Sequence, residues 1–259
     1  MGSRGDGLGG GLGHFWVDLH VHTALSPCGE LEMGARGIVA RARESRIDVI
    51  AISDHNTCEN YPAIASLADG NPVVLPAMEV QTSEDIHVLA VFPDYYAAAG
   101  CKEWLWRRMP PTPNDPDVFG YQVIVDSNDD IVRMEETLLI QGAGYDVDTV
   151  VSRLRACGAV SLLAHVDRPS FAYPAVLGPF PDDYPVDAFE LSCGLNSDEA
   201  DEWRKKYPRR TFIRSSDSHS LDTLSRDNCT RMLLGAPTLE EIRLALRGEG
   251  GRRVSWPWG

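Results

Sequence analysis

Asp18-Leu19-His20-Val21-His22-Thr23 closes an apolar run that opens at Phe15, and it sets two imidazoles two residues apart at the end of an expected strand. Side chains alternate faces along a strand, so residues i and i+2 point the same way, and His20 and His22 converge on one centre. The partners come from elsewhere in the chain. Asp54-His55, Glu79, His87, His165 and Asp217-Ser218-His219 each adjoin a β-branched, apolar run. Six of the seven histidines therefore sit at strand ends beside carboxylates, while His14 lies in a Gly-rich leader and is expected to do nothing.

The apolar runs around these motifs alternate with helical patterns. Phe15 to Leu19 reads as strand one, Met33 to Arg46 as a helix with Ile38, Val39 and Ala42 on its apolar face, and Asp48 to Ile52 as strand two. Tyr61 to Leu67 is a short helix, Val73 to Ala77 strand three ending at Glu79, and His87 to Phe92 strand four. After residue 144 the rhythm resumes with helix Val147 to Cys157, strands Ala159 to Ala164, Ala188 to Leu191 and Thr211 to Arg214, helix Trp203 to Tyr207 before the last strand, and helix Leu239 to Leu246. Strand-helix alternation with polar residues at strand ends is the pattern of parallel α/β folds, whose ligands collect at the C-terminal ends of the strands. The expected fold is α/β, a distorted seven-stranded (β/α)7 TIM-like barrel.

Residues 93–144 break the pattern. Prolines 110, 111, 113 and 116 exclude a helix or central strand, and Gln122 to Val125 with Ile131 to Arg133 reads as a hairpin. A segment this long is more than a connection and is expected to be a cap near the mouth of the site. The expected layout is a leader over 1–13, a single barrel domain over 14–250 and a tail over 251–259. Trp104, Trp106, Phe119 and Tyr121 in the insertion suit either a base-stacking surface or the cap's own apolar seam.

Composition limits the partners. A chain of 259 residues can bury the core of one barrel or two small domains, and 43% hydrophobic against 24% charged residues is globular composition. No apolar run approaches the eighteen residues of a membrane span, and the leader lacks an apolar signal core, so a cytoplasmic, membrane-free protein is expected. The formal charge of −14 disfavours broad double-stranded nucleic-acid binding, although bound cations could still admit an anionic substrate. The six cysteines form no CxxC pair and read as reduced. No obligate protein partner is expected.

Neutral imidazoles and carboxylates are ligands for Zn, Mn or Fe, and His20, His22, His55, Glu79, His87, His165, Asp217 and His219 supply enough donors for two or three divalent ions. Adjacent cations clamp a phosphate and lower the pKa of a bridging water, so phosphoester hydrolysis is the chemistry these residues imply. A redox di-iron site would favour helical Glu-x-x-His motifs, which no expected helix here carries.

The order His-x-His, Asp-His, Glu, His, His, Asp-x-His resembles that of the PHP family, named for polymerase and histidinol phosphatase, from Val17 to about Arg247. The resemblance implies a distorted seven-stranded barrel with a trinuclear metal site and phosphatase or nuclease activity. It implies a first ion on His20, His22, Glu79 and Asp217, a second on Glu79, His87 and His165, and a third on His55 and His219. Where many members carry an Asp or His to complete the third site, this chain reads Ser26-Pro27-Cys28-Gly29-Glu30, leaving Cys28 or Glu30 as substitutes. Asp54 and Asp18 are expected to orient ligands rather than bind ions. Arg168 is the first candidate for phosphate, with Arg214, Arg226, Lys102, Arg107 and Arg108 as further cations. Glu79, His165, Asp217, His219 and Arg168 are the expected catalytic residues. The expected substrate is a phosphorylated small molecule or nucleotide, the alternatives being a nuclease acting on single-stranded ends or short oligonucleotides and a non-catalytic, metal-supported module.

Overall fold

The computed structural model describes residues 11–255, so most of the expected leader and the last residues of the expected tail lie outside the described residues. The chain opens with β1 (Gly13–Val21), α1 (Ala35–Glu44), β2 (Val49–Ile52), α2 (Tyr61–Ala68), β3 (Val73–Gln81), β4 (His87–Val91) and α3 (Tyr95–Trp106). There follow α4 (Pro116–Phe119), the hairpin β5 (Val123–Val125) and β6 (Ile131–Met134), α5 (Val147–Ala156), β7 (Val160–Leu163) and α6 (Tyr173–Leu177). The last part holds β8 (Ala188–Ser192), α7 (Ser197–Lys206), β9 (Phe212–Ser215), β10 (Thr230–Leu234), α8 (Leu239–Arg247) and β11 (Arg253–Val254). Gly13 and His14 belong to β1 and face Leu234 and Leu233 across the sheet. No described helix is long and apolar enough to cross a membrane.

Among the described residues, nine strands form one mixed sheet in the order β11-β10-β1-β2-β3-β4-β7-β8-β9, with β5 and β6 apart. The sheet nearly closes, because Val21 bridges Ser218 in the chain leaving β9, with His22 N donating to Ser218 O over 3.0 Å. The fold is therefore barrel-like, and the expected seven-stranded (β/α)7 count needs correcting. Thr230 to Leu234 and Arg253-Val254 are strands the sequence reading missed, and β4 runs antiparallel to both neighbours. The physical reason is connection length: only Thr82 to Ile86 separates β3 from β4, enough for a hairpin but too short for a parallel crossover.

Alternation along the strands divides the apolar residues between two layers. Val17, Leu19, Val49, Ala51, Leu75, Leu89 and Leu162 pack inside the barrel, whereas Ile50 and Ile52 pack outward against Ile38, Val39 and Ala42 of α1 and Ile64 of α2. In β1 the inner face changes parity: Leu19 packs inside, Val21 packs outside, and the pairing with β2 shifts register between Asp18 and Val21. That irregularity turns His20 and His22 inward above Leu19.

The segment 93–144 has two parts. Helix α3 is started by Asp94, whose carboxylate accepts from Ala97 N at 2.8 Å, and it sinks Ala98, Cys101 and Leu105 into the cluster containing Met78, Phe92 and Leu154. Beyond it, the β5–β6 hairpin is stitched to the site loops through buried Asn60, which donates to Thr23 Oγ1 (2.8 Å) and Val123 O (3.0 Å) and accepts from Val125 N (3.0 Å). Gly120, at φ 101°, lies so close to the 26–29 loop that a Cβ there would stand 2.1 Å from Pro27 O.

Candidate metal centre

Every strand that carries a motif delivers it to the same rim. β1, β2, β3, β7 and β9 present His20 and His22, Asp54-His55, Glu79, His165, and Asp217 with His219 at or just beyond their C-terminal parts. His87 begins β4 instead of ending it, and reaches the same rim because that strand is reversed. His165 (φ 29°) and Asp217 (φ 48°) both leave their strands in the left-handed region, a strained backbone for non-glycine residues that the surrounding sheet must hold.

Glu79 lies at the centre. Its Oε1 is 2.8 Å from His87 Nδ1, 3.2 Å from His165 Nε2 and 3.3 Å from His20 Nε2, while its Oε2 is 3.1 Å from His55 Nδ1 and 3.4 Å from His22 Nε2. Asp217 Oδ1 lies 3.3 Å from His20 Nε2 and 3.2 Å from His22 Nε2, and those two nitrogens are 3.1 Å apart. Four donors around a tetrahedral Zn at 2.0–2.1 Å stand roughly 3.4 Å from one another, so these spacings suit an ion. Three groups of donors are close enough for this: His20, His22 and Glu79; His55, Glu79 and His87; and His22, His55 and His219. The clustered His and Glu residues thus form candidate sites for two or three divalent ions. His165 adds a further nitrogen to the Glu79 group, and neither Cys28 nor Glu30 enters the third group.

Neighbouring residues fix which nitrogen each ring turns to the centre. His20 Nδ1 bonds Glu190 Oε2 at 2.9 Å, His22 Nδ1 bonds Ser26 Oγ at 2.9 Å, and His219 Nδ1 bonds Asp217 O at 2.8 Å. Each contact assigns the proton to Nδ1 and leaves Nε2 as a lone-pair donor. Ser26 in turn donates to Asp54 Oδ1 at 2.7 Å, so Asp54 reaches His22 through a hydroxyl while also accepting from Thr23 N. Asp18 Oδ1 instead accepts from His20 N and Ser216 N, tying β1 to the Asp217 loop. Buried His55 Nδ1 lies 3.1 Å from Glu79 Oε2 without an aligned hydrogen bond, a costly state that a cation between them would relieve, whereas the unpartnered His87 Nε2 and His165 Nδ1 are the ring nitrogens not turned to Glu79.

The electrostatics follow from this crowding. Although burial opposes it, the surrounding imidazoles hold Glu79 and Asp217 well below the usual carboxylate range. Burial also opposes the protonation of His22, but hydrogen bonds to Asp217 and Glu79 outweigh it and raise the group to about 9. Burial and the neighbouring His22 lower His219 to about 4. Burial raises Asp18 to about 6 against hydrogen bonds from Ser216.

The expected phosphate residues separate. Arg168 Nη2 contacts Asp217 Oδ2 at 2.7 Å and its Nε donates to Ser192 Oγ at 3.2 Å, leaving a side chain 40% exposed at the rim. Arg226 instead stacks over Trp16, and half-buried Arg214 feels Cys193, Cys229 and Asp227, so the described contacts do not bring either to the cluster. Cys28 stands at the exposed rim, where packing and nearby Glu79 push its thiol up to about 12. Lys102 is paired with Glu59, and Arg107 and Arg108 are exposed beyond α3. Trp104 stacks on Tyr145 and Trp106 donates to Asn56 O, whereas Phe119 and Tyr121 remain exposed.

Two contributors had no prior signal. Glu190 lies within an apolar strand and looks like one outward polar position, and only the contact with His20 reveals it. Phe171 comes from a loop with no motif, yet its ring stacks 4.7 Å from His87 and its carbonyl accepts from His87 N.

No protein-family model matches this sequence, and no curated protein does. Among solved structures, the lesion-specific endonuclease PfuEndoQ from Pyrococcus furiosus superposes with TM-score 0.68 at 19% identity, over 93% of this chain and 57% of that one. A complex of Endonuclease Q with a 27-mer duplex carrying an abasic lesion at the active site gives 0.66 at 18%, over 93% and 58%. A two-domain protein from Bacteroides vulgatus containing a predicted PHP-like metal-dependent phosphoesterase gives 0.54 at 14%, over 95% and 65%. The fold is PHP-like. At these identities the likeness is one of fold, and this chain spans less than three-fifths of the two endonuclease chains. The duplex complex also corrects the expectation that net charge argues against double-stranded nucleic acid, because a protein of this fold holds a duplex at its active site. Net charge sums the whole surface, whereas a phosphate meets only the cations and arginines at the mouth.

Proposed function

We propose that this chain is a metal-dependent nuclease that hydrolyses phosphodiester bonds at the rim where Glu79 gathers five imidazoles. Two readings compete, a phosphomonoesterase for small molecules or nucleotides and a nuclease. The fold shared with two endonuclease structures favours the second, and it leaves duplex as well as single-stranded substrates open. The single observation that carries the proposal is the position of Glu79, within 3.4 Å of donor atoms from His20, His22, His55, His87 and His165.

In this reading His20, His22, Glu79 and Asp217 would hold one ion, Glu79, His87 and His165 a second, and His55 and His219 a third. Ions bound there would act as Lewis acids on a phosphoryl group and make hydroxide available near neutral pH. The protein's own part is orientation. Glu190 and Ser26 set the tautomers of His20 and His22, and Asp217 holds Arg168 with part of its fork free for a non-bridging oxygen. His219, neutral above about pH 4, offers a lone pair and not a proton. Residues 93–144 act as a cap within a single domain, supported by the bonds of Val123 to Ala24 and Asn60 and of Leu139 to Asn56.

The test compares labelled single-stranded and duplex oligonucleotides with simple phosphomonoesters, using protein loaded separately with Zn, Mn and Fe. Oligonucleotide cleavage that disappears in Glu79→Gln is the expected result. Turnover confined to phosphomonoesters would return the proposal to the small-molecule reading, and full metal content without turnover of either would make the cluster structural.

A further inference from the structure

At the opposite end of the barrel, where strands begin, the chain reverses its overall charge. Two adjoining cavities open there, of about 310 Å³ and 540 Å³, and both are lined by Arg210 and Arg247. Arg204 and Arg253 complete the lining of the first, Arg155 and Arg243 that of the second. Six arginines therefore face one region in a chain carrying 38 acidic against 24 basic residues, and the first cavity has no carboxylate in its lining.

Apart from Arg204, these arginines are only partly paired with acidic neighbours. Arg247 reaches Asp187 only at 3.5 Å, and Arg243 meets Glu240 at the same distance while its Nη2 donates to Gly158 O at 2.6 Å. Arg210 spends one nitrogen on Pro181 O at 3.2 Å, and its Nε has no partner. Arg155 and Arg253 make no ion pair or side-chain hydrogen bond among the described residues. Gathering like charges costs energy unless an anion separates them, and planar guanidinium forks match phosphate oxygens two at a time. Thr211, in the same lining, already gives its hydroxyl to Leu246 O, so Arg210, Arg247 and Arg253 are the donors left there for a ligand.

We propose that this arginine-lined pair of cavities is a second anion site that takes a small molecule carrying a di- or triphosphate. The space favours this class: a cavity near 300 Å³ is at the lower end for small-molecule pockets and exceeds the needs of a single phosphate. The site is separate from the metal centre, because Thr211 lies six residues before Asp217, about 20 Å of extended chain.

The experiment is calorimetric titration of the full chain, freed of metal by chelation so that the histidine cluster offers no ion to phosphate, with inorganic pyrophosphate at low salt. One binding site is expected, with affinity at least about tenfold weaker in R247Q/R253Q. R253Q alone, at an exposed position, covers the case in which the double variant does not fold. In the unaltered chain, pyrophosphate should protect Arg247 and Arg253 from phenylglyoxal, read by mass spectrometry. No binding, binding without protection of these arginines, or binding of a single-stranded oligonucleotide but not of pyrophosphate would each overturn the proposal.

Discussion

A carboxylate touching five imidazoles has no tolerable substitute. Glu79→Gln keeps the shape, but it removes the charge that offsets cations and turns an NH2 group toward ring nitrogens. Loss of at least one bound ion, counted by elemental analysis, is expected with a fall in cleavage of about 10³-fold or more. Glu190 is subtler. Glu190→Ala should weaken metal binding by about 10–100-fold, the usual cost of losing a group that orients a ligand, while Glu190→Gln, still able to accept from His20 Nδ1, should lose less. Equal losses in the two variants, measured by competition with a chelating dye, would make Glu190 a packing residue only. Protons supply a third check. Because neighbouring acids raise His22 to about 9, an ion binding at neutral pH must displace its proton, so Zn affinity should climb from pH 7 to 9 with proton release seen by calorimetry in buffers of different ionisation enthalpy. The same shift stabilises the ion-free fold below the ordinary value of 6.5, and that stabilisation is lost as pH rises through about 9.

Elements were legible where period or turn chemistry was strong. Ile38, Val39 and Ala42 gave α1 its face, and the hairpin across Asp126 to Asp130 formed as its turn residues dictated. The direction of β4 was not legible from its own residues, since a strand buried on both faces reads the same forwards and backwards. Thr230 to Leu234 was missed because it carries no motif and its polar start, Thr230-Arg231, looks like loop. Among the candidate ligands, those at strand ends could be found from alternation alone, but Glu190 could not, its role depending on a ring contributed 170 residues earlier. The hairpin gives a prediction at this scale. Asn60→Ala would leave Val123 O and Val125 N without partners in a buried place, costing about 2–3 kcal/mol in urea unfolding. Amide exchange at 123–125 should rise with it; unchanged exchange would mean that the hairpin is held elsewhere.

Across the whole molecule, the striking cost is acidic: Asp18, Asp54, Glu79 and Glu190 are all buried at one end of the barrel. Cations that bind only the folded chain repay that cost by mass action. At a thousandfold excess over the dissociation constant they contribute about 4 kcal/mol, so chelation should lower the unfolding temperature by roughly 10 °C. A shift near zero would mean that the cluster is stable without ions. Charge at this scale misled the reading of partners, because a sum over the surface says nothing of how a rim and an arginine-lined floor divide it.

The near-contact between Gly120 and Pro27 makes two distant stretches of sequence interdependent. A single methyl group at 120 has nowhere to go, so alanine there would push the turn bearing Cys28 away from the hairpin and, in the proposed cap, widen the entrance. Because Ser26 in that turn also seats the His22 ring, one added atom at 120 would change both the width of the proposed doorway and the aim of a ring behind it.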